Sequence, residues 1–254
     1  MRIRPCIDLH QGQVRQIVGN SLRDGEVART QVNFATERSA AEFARMYRED
    51  GLSGGHVIML GPGNEAQARA ALAADPDGLQ IGGGITPENA GQWLAAGAAK
   101  VIVTSYLFVD GQFSRDRLAA MAAAVGPERL VLDLSCRRCG DDYRVAARRW
   151  QETTGMKLDG QTLRELSGYC SEFLVHAVEV EGQRSGIDET LVRLLAEICP
   201  TVVTYAGGVR SLADLSSIAG LGRGRVDATV GSALDIFGGD LPYRAVVEFD
   251  RRMI

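Results

Sequence analysis

Two short stretches, half a chain apart, repeat one another. Ile7-Asp8-Leu9 stands near the N-terminus, and Leu132-Asp133-Leu134 lies 125 positions further on. The pairs Gly82-Gly83 and Gly207-Gly208 are separated by the same 125 positions. Val103-Thr104-Ser105 answers Val230-Gly231-Ser232 at 127. Three correspondences in one order, at nearly one spacing, predict two equivalent halves, residues 1–126 and 127–254, with the boundary near Pro127.

Between these landmarks, strand-like and helix-like runs alternate, the pattern of βα units around a parallel sheet. Apolar runs predict strands over 3–9, 56–60, 79–81, 101–103, 130–134, 172–180, 201–205 and 227–230. Helices are expected over 40–48, 65–74, 114–125, 161–169 and 242–251, from Asp188 through Cys199, and opening at Thr86-Pro87 and at Ser211. Ser39 and Asn64 are candidate N-caps. A polar loop is expected over 11–31, and a polar excursion over 135–155 with an extra hairpin at 144–150. Eight strands and eight helices fit a single (β/α)8 TIM barrel, typically about 250 residues long; the chain has 254. A doubly wound open sheet could use the same elements. It gives no reason for the repeat, whereas a barrel of two (β/α)4 halves puts all six repeated features at the carboxyl ends of strands, where barrel enzymes hold their active sites.

With 45% hydrophobic and 24% charged residues, the composition is that of a globular protein. The net charge of −4 and the absence of a basic stripe argue against a nucleic-acid partner. Arg144, Arg148 and Arg149 form the densest basic cluster and are too few for that role. No apolar run reaches membrane-spanning length and no signal-peptide pattern opens the chain, so a cytoplasmic protein without a membrane partner is expected. A monomer is expected as well. Five cysteines make a disulfide framework unpromising. Cys136 and Cys139 have metal-site spacing but no second pair completes a site, so no metal is assigned. His10, His56 and His176 are scattered; His56 and His176 sit in apolar runs and read as hydrogen-bonded core imidazoles.

Asp8 and Asp133 each interrupt an apolar strand near its end. A carboxylate there must find partners or do chemistry. Gly83, Gly84, Thr104 and Ser105 in one half, and Gly207, Gly208, Gly231 and Ser232 in the other, can expose backbone N–H groups and hydroxyls at helix starts, making two anion cradles. The expected ligand is a small molecule with two well-separated phosphates and the aspartates between them. Two facing carboxylates suit proton transfer, one taking and one giving, if their environments push the two pKa values apart. An isomerisation or acid–base ring opening of a sugar phosphate fits; a carboxylate-pair hydrolase would not need two cradles.

Cys6-Ile7-Asp8-Leu9-His10, His56-Val57-Ile58, Val101-Ile102-Val103-Thr104-Ser105, Asp133-Leu134-Ser135-Cys136-Arg137, His176-Ala177, Tyr205-Ala206-Gly207-Gly208 and Leu234-Asp235-Ile236-Phe237-Gly238-Gly239 together resemble a known family over the full length. It is the isomerase of histidine biosynthesis that converts phosphoribosylformimino-aminoimidazole carboxamide ribotide from aminoaldose to aminoketose, in its fungal-type branch. The resemblance implies a cofactor-free Amadori rearrangement. Asp133 would protonate the ribose ring oxygen and open the ring to a Schiff base; Asp8 would remove the C2′ proton. Trp150, in Arg149-Trp150-Gln151, matches a loop tryptophan able to stack on the substrate's imidazole, and Arg15 matches a basic position in the first loop.

Met59 stands where bacterial members often carry an aspartate, and Glu179 is a candidate for the place of their loop aspartate after strand six. The sister cyclase of the same pathway shares the repeat, both aspartates and both cradles. It usually has a lysine where Gln16 stands and lacks the Trp150 loop, so the isomerase is favoured. The same barrel could also act on the related tryptophan-pathway substrate. A non-catalytic phosphate-binding barrel is a further possibility from a different class, and negative charge between two dianionic ends speaks against it.

Overall fold

Eight parallel strands close into a barrel. The computed structural model describes residues 1–17, 32–147, 150 and 152–253. Most of the first loop, and Arg148, Arg149 and Gln151 of the excursion, lie outside the described residues. Numbering the barrel strands alone, β1 is Ile3–His10, β2 Gly55–Met59, β3 Leu79–Gly82, β4 Lys100–Val103, β5 Leu130–Asp133, β6 Glu172–His176, β7 Val202–Ala206 and β8 Val226–Val230. Each pairs in parallel with its neighbours in chain order, and β8 pairs back with β1 through Ile3↔Ala228 and Pro5↔Val230. The helices are α1 Ala40–Asp50, α2 Glu65–Ala74, α3 Pro87–Ala95, α4 Arg115–Val125, α5 Gly160–Leu166, α6 Glu189–Ile198, α7 Leu212–Leu221 and α8 Tyr243–Met253. The chain is the expected (β/α)8 barrel.

The helices are built on caps and apolar faces. In α1, Ser39 accepts the Glu42 N–H while Glu42 returns a bond to the Ser39 N–H, and Gly51 ends the helix in left-handed conformation. Its buried residues Ala40, Phe43, Ala44 and Tyr47 recur every three to four positions, the face that packs on the barrel wall. Asp188 and Ser211 cap α6 and α7 as expected. Asn64 does not cap α2; it accepts the Gly12 N–H and donates to the Gly61 carbonyl, tying two loops together.

Inside the barrel the period of two sorts side chains into levels. Ile102, Val131, Leu174 and Ala206 form an apolar middle with Ile58 beside it. On the floor below, Glu172 is 1% exposed. It accepts from Gln80 at 2.9 Å, Lys100 at 3.2 Å and Thr204 at 3.2 Å, and faces Arg4 at 3.6 Å. Thus β6 runs Glu172 on the floor, Leu174 in the middle and His176 at the mouth.

Three expectations need correction. The first loop contains a strand, Gln13–Ile17, antiparallel to both β1 and Val32–Ala35. The excursion after β5 is a three-stranded antiparallel sheet, Cys136–Cys139, Asp142–Ala147 and Glu152–Lys157, rather than a hairpin at 144–150. Strand six stops at His176 instead of continuing to 180, because the chain turns away from the wall there: Val180 N–H bonds back to the Ala177 carbonyl at 3.1 Å. Among the described residues, no helix is long and apolar enough to cross a membrane.

Candidate active site

Two cavities open side by side at the carboxyl ends of the strands. The larger, about 630 Å³, is bordered by Asp8, Gly83, Gly84, Thr104, Ser105, Asp133 and Trp150. The smaller holds Gly207, Gly208, Gly231 and Ser232 together with Gln16, His56 and Arg184. Asp8, His176 and Glu181 line both. The candidate residues named from the sequence therefore border one cavity or the other, except Arg15 and Glu179. The Arg15 guanidinium is bonded to Gln11 and Gln13 at 3.0 and 2.9 Å, outside both cavities.

The glycines do what the turns demand. Gly83 and Gly208 have φ of +94° and +71°, the region that penalises a Cβ. A Cβ on Gly83 would lie 2.1 Å from the Met59 carbonyl oxygen, and one on Gly208 would lie 2.0 Å from that of Gly186. Only bare backbone can run this close to the end of β2 and to the Gly186 loop. Gly83→Ala is expected to cost about 2 kcal/mol or more in urea unfolding. Gly84→Ala, where a Cβ meets nothing within 4 Å, should cost less; equal costs would show that the close approach is unimportant.

The two aspartates meet different surroundings. Asp8 receives the Gln16 side-chain amide at 3.1 Å. Burial, reinforced by the Glu181 carboxylate, pushes its pKa up from 3.8 to about 7. Asp133 accepts from the Ser135 N–H at 3.0 Å, the Ser135 hydroxyl at 2.7 Å and the Thr104 hydroxyl at 3.1 Å. His176 Nδ1 lies 3.3 Å away. Burial alone would raise the Asp133 carboxyl, but the His176 charge and these hydrogen bonds hold it below its ordinary value. The pair is thus pushed apart, with Asp133 the more firmly ionised.

Three residues that sequence reasoning passed over belong here. His176 is no core imidazole: it sits at the mouth, its ring centroid 5.5 Å from that of Trp150 at a 43° tilt. Glu181, rather than Glu179, is the acid that enters the cavities; burial pushes its carboxyl up, and its Oε2 has no partner among the described residues. Glu179 is exposed, 3.9 Å from Arg137. Arg184 borders the smaller cavity with a buried Nε that is likewise unpartnered among the described residues. His56 is buried, as expected, and burial lowers its pKa to about 3, so the ring stays neutral.

The sequence family described as "Histidine biosynthesis protein" matches residues 2–241. The chain belongs to this family. Among curated members, a 1-(5-phosphoribosyl)-5-((5-phosphoribosylamino)methylideneamino)imidazole-4-carboxamide isomerase of Neurospora crassa is 52% identical over 99% of both chains. A chloroplastic isomerase of the same name from Medicago truncatula is 50% identical over 97% of this chain and 81% of its own. The Saccharomyces cerevisiae isomerase is 45% identical, covering 93% of this chain and 92% of its own. Within the histidine biosynthesis family, the likeness thus covers nearly the whole chain.

Proposed function

We propose that this chain is the aldose–ketose isomerase its relatives are named for, acting in histidine biosynthesis by an Amadori rearrangement. The observation that carries the chemistry is the placement of two carboxylates at one barrel mouth with unlike partners, Asp8 beside the Gln16 amide and Asp133 held by Ser135, Thr104 and His176. The near full-length identity to isomerases that bear this substrate in their names supports the substrate.

In this reading the bis-phosphorylated ligand spans both cavities. Gly83, Gly84, Thr104 and Ser105 hold one phosphate, and Gly207, Gly208, Gly231 and Ser232 the other, with Arg184 nearby. Each half-barrel, about 1–126 and 127–254, supplies one cradle, which the matching left-handed glycines support. Binding at the two ends orients the reacting ribose between them. Proton donation from the Asp133 side opens the ring to a Schiff base. Asp8 takes the C2′ proton, and Trp150 stacks on the imidazole. Gln16, 3.1 Å from Asp8, stands where the sister cyclase usually has a lysine, which favours the isomerase.

A spectrophotometric assay with purified protein and aminoaldose, without glutaminase or ammonia, tests this. Aminoketose should form. No reaction, with cyclisation of supplied aminoketose plus ammonia, would instead identify the cyclase.

A further inference from the structure

The isomerase reading leaves open which atom carries the proton given to the substrate. Asp133 is badly placed to store it. A backbone N–H, two hydroxyls and a ring nitrogen converge on its two oxygens. A carboxylate met by that many donors is favoured in its ionised form. Asp133 also borders only the larger cavity.

His176 has the complementary features. Its Nδ1 is committed to Asp133 and to the Ser135 hydroxyl, both at 3.3 Å. That leaves Nε2 as the ring's other position, with no hydrogen-bond partner among the described residues. The ring borders both cavities, with Asp8 and Glu181 the only other side chains that do so among the described residues. A ligand anchored by a phosphate in each cavity must place its middle where the two meet. There the sugar passes His176.

Resting on the isomerase reading, we propose that His176 is the general acid of the ring-opening step, with Asp133 as the positioning residue that keeps the imidazole charged and oriented. The Nε2 proton goes to the ribose ring oxygen as the C1′–O bond breaks, and the nitrogen lone pair forms the C1′=N bond. Asp8 then takes the C2′ proton, giving an enaminol. Asp8 returns that proton to C1′, and the C2′ hydroxyl proton recharges His176 as the ketone forms. No proton is gained or lost over the cycle.

The charged groups around the ring agree with this assignment. Asp8 faces it from β1, neutral His56 from β2, Asp133 from β5 and Glu181 from the loop after β6. Burial disfavours the imidazolium, but the Asp133 carboxylate, followed by Glu181 and Asp8, outweighs it and raises the ring to about 9.

The test combines pH profiles with a titration that needs no substrate. In wild type, kcat/KM for the aminoaldose should rise through about pH 7 with Asp8 and fall through about pH 9 with His176. His176→Gln should lower kcat by about 100-fold or more, change KM little, and remove the alkaline limb. Asp133→Asn should keep residual activity with its optimum moved to more acidic pH. In the wild-type protein labelled at histidine, nuclear magnetic resonance should show the His176 ring charged at pH 7.5. A neutral ring at that pH, or His176→Gln with wild-type kcat and an unmoved alkaline limb, would overturn the proposal while leaving the isomerase standing. Absence of turnover by the wild type would overturn both.

Discussion

Replacing Asp8 with asparagine is expected to lower kcat by about three orders of magnitude, with the substrate still bound, and to stabilise the folded protein above neutral pH. The first effect follows from losing a general base, a contribution of roughly 10² to 10⁴. The second follows from the surroundings that raise Asp8 from 3.8 to about 7. Between those values the native state holds a proton that the unfolded chain has released. Native stability therefore falls as pH rises from about 4 to 7, and above pH 7 the cost is at most roughly 4 kcal/mol. Asparagine carries no charge and escapes that cost. Urea unfolding of both proteins at pH 5 and pH 8, with kcat and ligand titration, measures each part. The variant's advantage should be larger at pH 8. Unchanged turnover would remove Asp8 from the mechanism; an advantage independent of pH would show that its ionisation is not what strains the fold.

Glu172→Ala should be the most damaging single change on the barrel floor. Glu172 is the shared partner of Arg4, Lys100, Gln80 and Thr204, and it is sealed from water. Removing it leaves Arg4 with Asp227 alone at 2.8 Å and Lys100 with the Ser171 hydroxyl, and unpairs Gln80 and Thr204 in a sealed layer, which costs about 3 kcal/mol. For a chain of this size that corresponds to a melting temperature roughly 6–12 °C lower. The floor is separated from the mouth by the apolar middle level, so kcat at 25 °C should stay close to wild type. Thermal unfolding beside the isomerase assay decides: an unchanged melting point would mean the network contributes little, and a collapse of kcat in folded protein would couple floor to mouth.

What the sequence disclosed and what it concealed divide along physical lines. The barrel was legible because strands buried on both faces and capped amphipathic helices alternate without a break. Asp8 and Asp133 were legible because a carboxylate in an apolar run has no innocent explanation once it occurs twice. His176 was misread because imidazole is ambivalent; the same ring can be buried and neutral, as His56 is, or charged at a mouth. The signal was present in the strand's alternation, Glu172, Leu174, His176, which puts two polar residues on the inward face at opposite ends. Glu179 and Glu181 share one parity and both follow the strand, so only the turn at Ala177–Val180 tells them apart. The antiparallel sheet after β5 was hidden because its strands are short and mixed in polarity, with burial shared between one face and the barrel rim.

The layering of β6 carries a consequence for how the protein reaches its native state. Sliding that strand by a single residue would turn Glu172 and His176 outward into the apolar layer beneath the helices, and bring Phe173 and Val175 into the barrel. The floor would lose the carboxylate shared by Arg4 and Lys100, and the mouth would lose one of the partners of Asp133. A register error is therefore penalised at both ends of the strand at once. The residues that ready the site for proton transfer also act as proofreaders of strand alignment, so that a barrel closed out of step is rejected by folding before it could be tested by catalysis.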